Sequence, residues 1–523
     1  MKTDYLFLAI DVGTGSIRSA LVNSKGQILA FSQKEHEQIV LRHSWSEQRP
    51  TDWWNGTKET ILDVLSKVED AADRVVAIGA CGQMHGVILI DEDGNLTRNT
   101  ALLWNDKRTL KNVQEFECKY SAERYFSSTA NMPAPAWPAF KLMWIAQNDP
   151  TAIQKAASLL MPKDYINFRF TGVRAHDWTE ASMSFMMDAN TSQWSNDLAD
   201  LTGVSLELLP EIKNPASVLA GLSENIARQL GLKSGTPVVV GCGDYPMALL
   251  GSGVTKSGMA SDVTGTSTII TMLHDNPILD AEISNIKTST GVWGSLTLLD
   301  AGGDAVRWAR RAFHDNQLSY QQVEEAAAGA EPGSNGLFFL PYLSGERFGN
   351  ARNSRAQFFG ISATHGLQQI HRAILEGIAF SVRHRLGSIQ GDKGRPKIMV
   401  ASGGGAKSDI ALKIKASMYH TTYLVPEELE CGIVGCAAIM SVATGKHSSI
   451  EDAVKFMVRY SKKIEPTPEL VDLYNHMMPI YEDIYYNSQA FYDRLDALNF
   501  CDKNKAKEFF SELEEFISFN LIS

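Results

Sequence analysis

The chain has 523 residues, 44% hydrophobic and 21% charged, with a formal net charge of −11. This balance excludes a disordered chain. With no large basic cluster it also argues against a nucleic-acid binder, so any anionic ligand must be gripped by local donors. The six cysteines, Cys81, Cys118, Cys242, Cys431, Cys436 and Cys501, show neither metal-ligand nor disulfide-framework spacing, which points to a reducing, cytoplasmic setting.

Residues 5–10, 17–22 and 27–31 read as three strands of a β-meander. Asp11 and Gly13 break the first apolar run before it reaches the length of a signal segment or a membrane span. The turn Asp11-Val12-Gly13-Thr14-Gly15-Ser16 contains Gly-x-Gly, yet Arg18 stands where a dinucleotide fingerprint needs its third glycine and no helix pattern follows. Its hydroxyls and backbone N–H groups, with Arg18 close by, suit phosphate; a plain glycine-rich hairpin turn is the other reading. A helix over residues 51–69 and a strand over 75–79 lead to Gly82-Gln83-Met84-His85-Gly86, where His85 either orients a substrate hydroxyl or is structural. Trp104-Asn105-Asp106 and the segment around Trp137 combine indole with amide and carboxylate, which suits a polyol or, equally, a packed core.

Residues 203–233 read as a linker of amphipathic pieces, and 238–240 as a buried strand. Gly241-Cys242-Gly243 then turns the backbone tightly and Pro246 opens a helix, leaving Asp244 at the strand's carboxyl end. Two readings fit Asp244: a chemical group in the crevice of an α/β sheet, or a helix cap. Past Gly253 the pattern restarts with strands over 259–263 and 268–272 around Thr264-Gly265-Thr266-Ser267, a second hairpin like the first. Two such hairpins suggest a duplicated fold with a ligand between the halves. Ala301-Gly302-Gly303-Asp304 opens a helix over 305–313, residues 369–386 form a long amphipathic helix, and a strand over 398–402 runs into Gly403-Gly404-Gly405-Ala406-Lys407-Ser408-Asp409. Three successive glycines let a ring or a phosphate approach the backbone closely. Gly432 and Gly435 suit tight helix packing, and the chain from 470 onward reads as helical, ending in an amphipathic segment over 503–519. The nearest approach to a P-loop, Thr444-Gly445-Lys446-His447, has Met440 where the first glycine belongs, so ATP is not bound that way.

These features, in this order, resemble the FGGY family of carbohydrate kinases over roughly residues 5–495. Pro138, Lys141, Leu142, Trp144, Ile145, Gln147 and Asn148 match the family's N-terminal signature, with Ala136 departing at its first position. Ala356-Gln357-Phe358-Phe359-Gly360-Ile361, Gln369-Ile370 and Ala373-Ile374-Leu375-Glu376 match the C-terminal one. Gly82-Gln83-Met84-His85-Gly86, Trp104-Asn105-Asp106 and Leu340-Pro341-Tyr342-Leu343-Ser344-Gly345-Glu346-Arg347 look most like the xylulokinase branch.

The resemblance implies an α/β, two-domain, actin-like ATPase fold of the ribonuclease H type. Each domain would be a mixed five-stranded sheet flanked by helices, with the active site in the central cleft. The N-terminal domain would span 1–253 and the C-terminal domain 254–523, with a helical extension from about 470. It implies ATP and Mg²⁺, a small sugar or polyol partner, neither nucleic acid nor membrane, and a possible homodimer. Position by position, it makes Asp244 the general base, Asp11 the metal carboxylate, and Thr14, Ser16, Arg18, Thr264, Gly265 and Thr266 the phosphate grip. Gly302, Gly404, Gly405, Ala406 and Asp409 would line the adenosine side; Met84, His85, Trp104, Asp106, Asp244 and Tyr245 would face the sugar. The expected reaction transfers the γ-phosphate to a primary hydroxyl of a ketopentose, D-xylulose at O5 first, with ribulose, L-xylulose, a pentitol or an autoinducer-2-like carbonyl compound as alternatives. Three departures bear on the sugar. Tyr245 stands where xylulokinases usually carry Asn, Gly13-Thr14-Gly15-Ser16 looks more like the ribulokinase and autoinducer-2 kinase turn, and Phe348-Gly349-Asn350 lacks the usual Thr-Pro.

Overall fold

The computed structural model describes residues 5–346, 352–391 and 394–497. Phe348-Gly349-Asn350 and the helix expected over 503–519 lie outside the described residues. Two seven-stranded mixed sheets organise the chain. In the first, the spatial order is Val218–Gly221, Pro237–Val239, Val75–Gly82, Leu6–Val12, Ser16–Asn23 and Ile28–Glu35, with Cys242–Gly243 also paired to Val75–Gly82. In the second it is Ser284–Lys287, Trp293–Leu299, Thr268–His274, Ala260–Thr264, Ile398–Ser402, Thr422–Pro426 and Tyr460–Ile464.

The expected five strands per sheet are corrected to seven. The strands that sequence reading missed sit mostly at edges, where one face or both meet water and no apolar alternation is required. Val218–Gly221 is half-exposed along its length and lay within the stretch read as a linker. Tyr460–Ile464 is a polar edge strand of the same kind. Cys242–Gly243 has only two residues, and it exists because Gly241 turns at φ +72 where a Cβ would come within 2.0 Å of the Ala80 carbonyl oxygen.

The two hairpins read as a repeat occupy the same place in each sheet. Leu6–Val12 pairs antiparallel with Ser16–Asn23 and parallel with Val75–Gly82; Ala260–Thr264 pairs antiparallel with Thr268–His274 and parallel with Ile398–Ser402. Period-two alternation builds both layers around the first sheet. Leu6, Leu8 and Ile10 pack with Trp53, Ile61 and Ile166 of the helices Pro50–Ser66 and Pro162–Thr171. Phe7, Ala9 and Val22 face the other way, onto Met247, Leu250, Ile433, Ala437 and Met440. The last three belong to the helix Cys431–Ala443, so a segment from beyond the second hairpin returns to cover the first sheet. The second core joins the second sheet to the helices Leu367–Gln390 and Asp409–Tyr419. Tyr474 and Tyr481 of the helix Pro468–Ala497 are fully buried in it, so that helix is a wall of the core.

Contact between the halves is direct. Asn131 and Asn285 exchange hydrogen bonds, with Asn285 N–H donating to Asn131 Oδ1 at 2.8 Å and Asn131 Nδ2 to the Asn285 carbonyl at 2.9 Å; Trp178 Nε1 donates to the Thr288 carbonyl at 2.8 Å. The helices Asp244–Gly251 and Cys431–Ala443 cross at backbone contact. A Cβ on Gly251 would lie 1.7 Å from the Cys431 carbonyl oxygen, and one on Gly435 2.3 Å from that of Met247. Neither clash is relieved by moving a side chain, so Gly435→Ala is expected to lower stability by about 1–3 kcal/mol, the usual cost of overpacking. Thermal or urea unfolding checks this, and an unshifted midpoint would contradict the close crossing.

Candidate active site

Sheet register assembles the centre. Arg18, Asp11, Cys81 and Cys242 stand abreast on four neighbouring strands, and Asp244 follows two residues after Cys242 at the start of its helix. Asp244 is half-buried, and its Oδ1 accepts the Tyr245 N–H at 2.7 Å. Burial pushes the Asp244 carboxyl up to about 7; the Asp11 charge adds to this, and the Tyr245 N–H and Arg18 oppose it. Asp11 is pushed up to about 6, again mainly by burial, against the pull of Arg18. Arg18 Nη1 lies 3.4 Å from Asp11 Oδ2 and 3.2 Å from Glu430 Oε2, the latter at the start of the returning helix.

Behind Asp244 lies a buried polar network that sequence reading missed. Thr179 Oγ1 accepts the Gly243 N–H at 3.1 Å and donates to Asp177 Oδ1 at 2.5 Å. Asp177 also caps the short helix Trp178–Ser182 and pairs with Lys163 at 2.8 Å. Lys163 bonds Asp164 in turn, and Asp164 bonds His176 Nδ1 at 2.7 Å. The available signal was charge embedded in apolar sequence, as in Leu160-Met161-Pro162-Lys163-Asp164-Tyr165-Ile166. Glu180, fully buried and with Oε1 unpartnered, has its carboxyl raised well above the usual range by burial and by the neighbouring Asp177 and Asp164 charges.

The Gln83–Gly86 turn borders this centre. Met84 packs on Gly243, where a Cβ would meet Met84 Cγ at 2.7 Å. His85 adopts φ +67, unusual for a side-chain-bearing residue, and its carbonyl accepts from the buried Lys141 Nζ at 2.7 Å. Burial, then the Lys141 charge, push His85 down to about 3, so its ring is neutral at working pH and offers both a donor and an acceptor. Its Nδ1 is buried without a partner. Burial pushes Lys141 itself down to about 7, with Asp106 and Glu180 opposing.

Other expected positions fall less simply. The Thr14 carbonyl accepts from Gln48 Nε2 at 2.7 Å, and Gln48 Oε1 accepts from Gln83 Nε2 at 2.8 Å, which ties the first turn to the His85 turn. Trp104 is exposed and donates from Nε1 to Thr14 Oγ1 at 3.0 Å, so it sits over the first turn and leaves the threonine's own hydrogen free to donate. Ser16 is only 3% exposed and closes that turn through its carbonyl. Asp106 is buried, with its oxygens taken by the Ser46 N–H at 2.7 Å and by Arg108 at 2.7–2.9 Å. That carboxylate braces the wall and is not presented to a ligand. The Tyr245 hydroxyl is engaged as well, 2.5 Å from Thr271 Oγ1 in the second sheet, while its ring also packs against the cluster that holds Met84 and Trp137.

In the second half, Thr264 Oγ1 donates to Asp262 Oδ1 at 2.6 Å and accepts from Lys415 Nζ at 2.9 Å. Its single hydrogen is therefore spent, whereas Gly265 and Thr266 are exposed. Gly302, Gly404 and Gly405 converge on this turn: a Cβ on Gly302 would meet Thr268 Oγ1 at 2.2 Å and one on Gly405 would meet Thr264 Cβ at 2.6 Å, while Gly404 is exposed. Ala406 departs from the expectation, its methyl being buried in the second core. Asp409 is exposed and paired with Lys462 at 2.5 Å.

The donor set fits Mg²⁺. Asp11 and Asp244 are carboxylates close enough to repel one another, and Mg²⁺ commonly takes one or two carboxylates together with phosphate oxygens and waters. No group of three or more His, Cys, Asp or Glu side chains that could hold a metal ion occurs among the described residues. No helix among the described residues is long and apolar enough to cross a membrane.

Comparison with known proteins identifies the family. Residues 6–251 match the N-terminal domain model of the FGGY family of carbohydrate kinases and residues 260–444 its C-terminal domain model. The chain is 28% identical over 488 residues to a xylulose kinase of Bacillus subtilis (strain 168), covering 92% of this chain and 97% of that one. The structure of ligand-bound xylulose kinase from Lactobacillus acidophilus superposes with a TM-score of 0.86 at 25% identity, covering 94% of this chain and all of that one. Gluconate kinase from the same organism superposes with a TM-score of 0.87, also at 25% identity and with the same coverage. Two matched domain models, both sheets and the duplicated hairpins agree: the chain belongs to the FGGY family of carbohydrate kinases and is an ATP-dependent phosphotransferase.

Proposed function

We propose that this kinase phosphorylates a ketopentose at a primary hydroxyl, with D-xylulose as first substrate and Asp244 as the general base. The observation that carries the reading is Asp244 itself, a carboxylate raised to about 7 at the floor of the site, beside Asp11 and the Met84-His85 turn. A base of that strength is half-ionised near neutrality and accepts a proton readily as an alkoxide develops. The substrate oxygen attacks the γ-phosphorus, its O–H proton passes to Asp244, the bond to the β-phosphate oxygen breaks, and ADP leaves. Such a transfer depends chiefly on in-line positioning and on neutralising oxygen charge.

Thr14, the Gly265–Thr266 backbone and Arg18 are the proposed phosphate donors, and Gly404 and Gly405 give the nucleotide close access to backbone. Thr264 and Gly302 support that grip from beneath. Asp11 is the proposed Mg²⁺ ligand; when bound, the metal would offset phosphate charge. The neutral His85 ring is suited to a sugar hydroxyl or carbonyl. The B. subtilis and L. acidophilus relatives named as xylulose kinases support D-xylulose; the gluconate kinase neighbour makes an aldonic acid the substrate to compare.

Asp244→Asn is expected to lower kcat by about 10²–10⁴-fold with ATP affinity within about twofold. In the unmodified enzyme kcat/KM should rise with pH through about 7 as the carboxyl ionises. Retained turnover in the variant, or a rate flat between pH 5.5 and 8.5, would place the base elsewhere. For the sugar, ADP release is measured with D-xylulose, D-ribulose, L-xylulose, xylitol and D-gluconate. The highest kcat/KM is expected with D-xylulose, and turnover of another compound without it would reject that assignment.

A further inference from the structure

The residue after the proposed base joins both halves of the molecule. Tyr245 gives its N–H to Asp244 Oδ1 at 2.7 Å, and its hydroxyl shares a 2.5 Å hydrogen bond with Thr271 Oγ1. Thr271 is fully buried in the strand Thr268–His274, held between Ser261 and Leu296 on the neighbouring strands. The Tyr245 ring packs with Leu249, Val254, Leu273 and Val400, where the Asp244 helix meets the second sheet. Three residues before Thr271, roughly 10 Å along the strand by the usual rise, Thr268 Oγ1 lies 3.1 Å from Thr264 Oγ1. The Gly265–Thr266 turn follows Thr264 directly, and Asp262 and Lys415 fix Thr264. An unbroken path of short hydrogen bonds and paired strand thus runs from the carboxylate to the turn of the nucleotide half.

We propose that Tyr245 is a positioning residue whose hydroxyl, through Thr271, fixes Asp244 relative to the phosphate-binding turn of the second half. The inference rests on the reading of Asp244 and that turn given above. Phosphoryl transfer needs acceptor oxygen, phosphorus and leaving oxygen in line, and a misplacement of about 1 Å costs on the order of 10²-fold in rate. On that reading the acceptor lies on the first half while the phosphates are gripped from both, so the separation of the halves bears directly on the in-line geometry. A phenol reaching across to the other sheet ties the Asp244 end of its helix to the Thr271 strand at this point; a short side chain at position 245 would not span the gap.

Four proteins test this: the unmodified enzyme, Tyr245→Phe, Thr271→Val and the double variant. Phe keeps the ring and Val keeps the bulk, and the double variant leaves neither hydroxyl orphaned. They are assayed with saturating MgATP and whichever of D-xylulose, D-ribulose and D-gluconate the unmodified enzyme turns over fastest; if it uses none, ADP release without acceptor is the readout. The expected result is a kcat lowered about 10- to 100-fold in each single variant and no further in the double, with KM for ATP and acceptor within about threefold. A role confined to stability would lower the melting temperature of the single variants, restore it in the double and leave kcat unchanged, and that result overturns the proposal. So does a changed ranking of acceptors at undiminished kcat, which would make Tyr245 a specificity residue. Asp244→Asn, run alongside, separates the two failures. If it retains turnover, the reading of the site is wrong; if it is inactive while Tyr245→Phe runs at full rate, only the coupling is wrong.

Discussion

The structure depends most on one electrostatic constraint: Asp11 and Asp244 lie close together where burial already disfavours their charges. Burial raises the proton affinity of both, and the Asp11 charge raises that of Asp244 further, so neither is an ordinary surface carboxylate. The arrangement persists because the surrounding fold fixes it. Asp11 is set by strand register beside Arg18, and Asp244 by the Gly241 turn, the Thr179 hydroxyl on Gly243 and the crossing of two helices at Gly251 and Gly435. Energy that could have gone into a hydrophobic junction is held instead as a poised pair, a common feature of functional sites.

Duplication explains why only one such pair forms. The hairpin Asp11-Val12-Gly13-Thr14-Gly15-Ser16 has its counterpart in Asp262-Val263-Thr264-Gly265-Thr266-Ser267, and both aspartates sit on the first strand of their hairpin. Their surroundings differ. Asp262 is fully buried and both its oxygens are engaged, by Thr264, by Lys415 at 2.8 Å and by Tyr423 at 2.8 Å, so it braces the turn. Among the described residues Asp11 meets Arg18 at 3.4 Å and the weak Cys81 thiol donor at 3.7 Å, which leaves it capacity to bind. The corresponding position is thus a buried brace in one half and, in the other, the carboxylate proposed to hold the metal.

Much of this was legible in the sequence. The alternation of Leu6, Phe7, Leu8, Ala9 and Ile10, the strand before Asp244, the two Gly/Thr/Ser turns and the glycine triplet each have a local cause and appear where expected. What escaped depends on partners distant in sequence or on polar burial. Val218–Gly221 shows no apolar face, and Lys163, Asp164 and Asp177 gain meaning only as one buried network. Tyr245 read as a sugar-side residue because xylulokinases usually carry Asn there, and the bond of its hydroxyl to Thr271, 26 positions later, has no local signal. Arg18 is held by a carboxylate 412 positions away. Asp106 is a miss of another kind, since Arg108 stood two residues away and its claim on that carboxylate went unread.

The central claim is that burial, with the neighbouring Asp11 charge added to it, raises the Asp244 carboxyl, and titration of that carboxyl measures it directly. In protein carrying ¹³C-labelled aspartate, with the Asp244 resonance assigned by its loss in Asp244→Asn, the carboxyl signal is followed from pH 4 to pH 9 in the unmodified enzyme and in Asp11→Asn. Removing the Asp11 charge also frees Arg18 to act on Asp244, so both changes favour the ionised form. The account predicts a midpoint near 7 in the unmodified enzyme and a clearly lower one in the variant. An identical midpoint in the two proteins, or an ordinary carboxylate value in both, would contradict it.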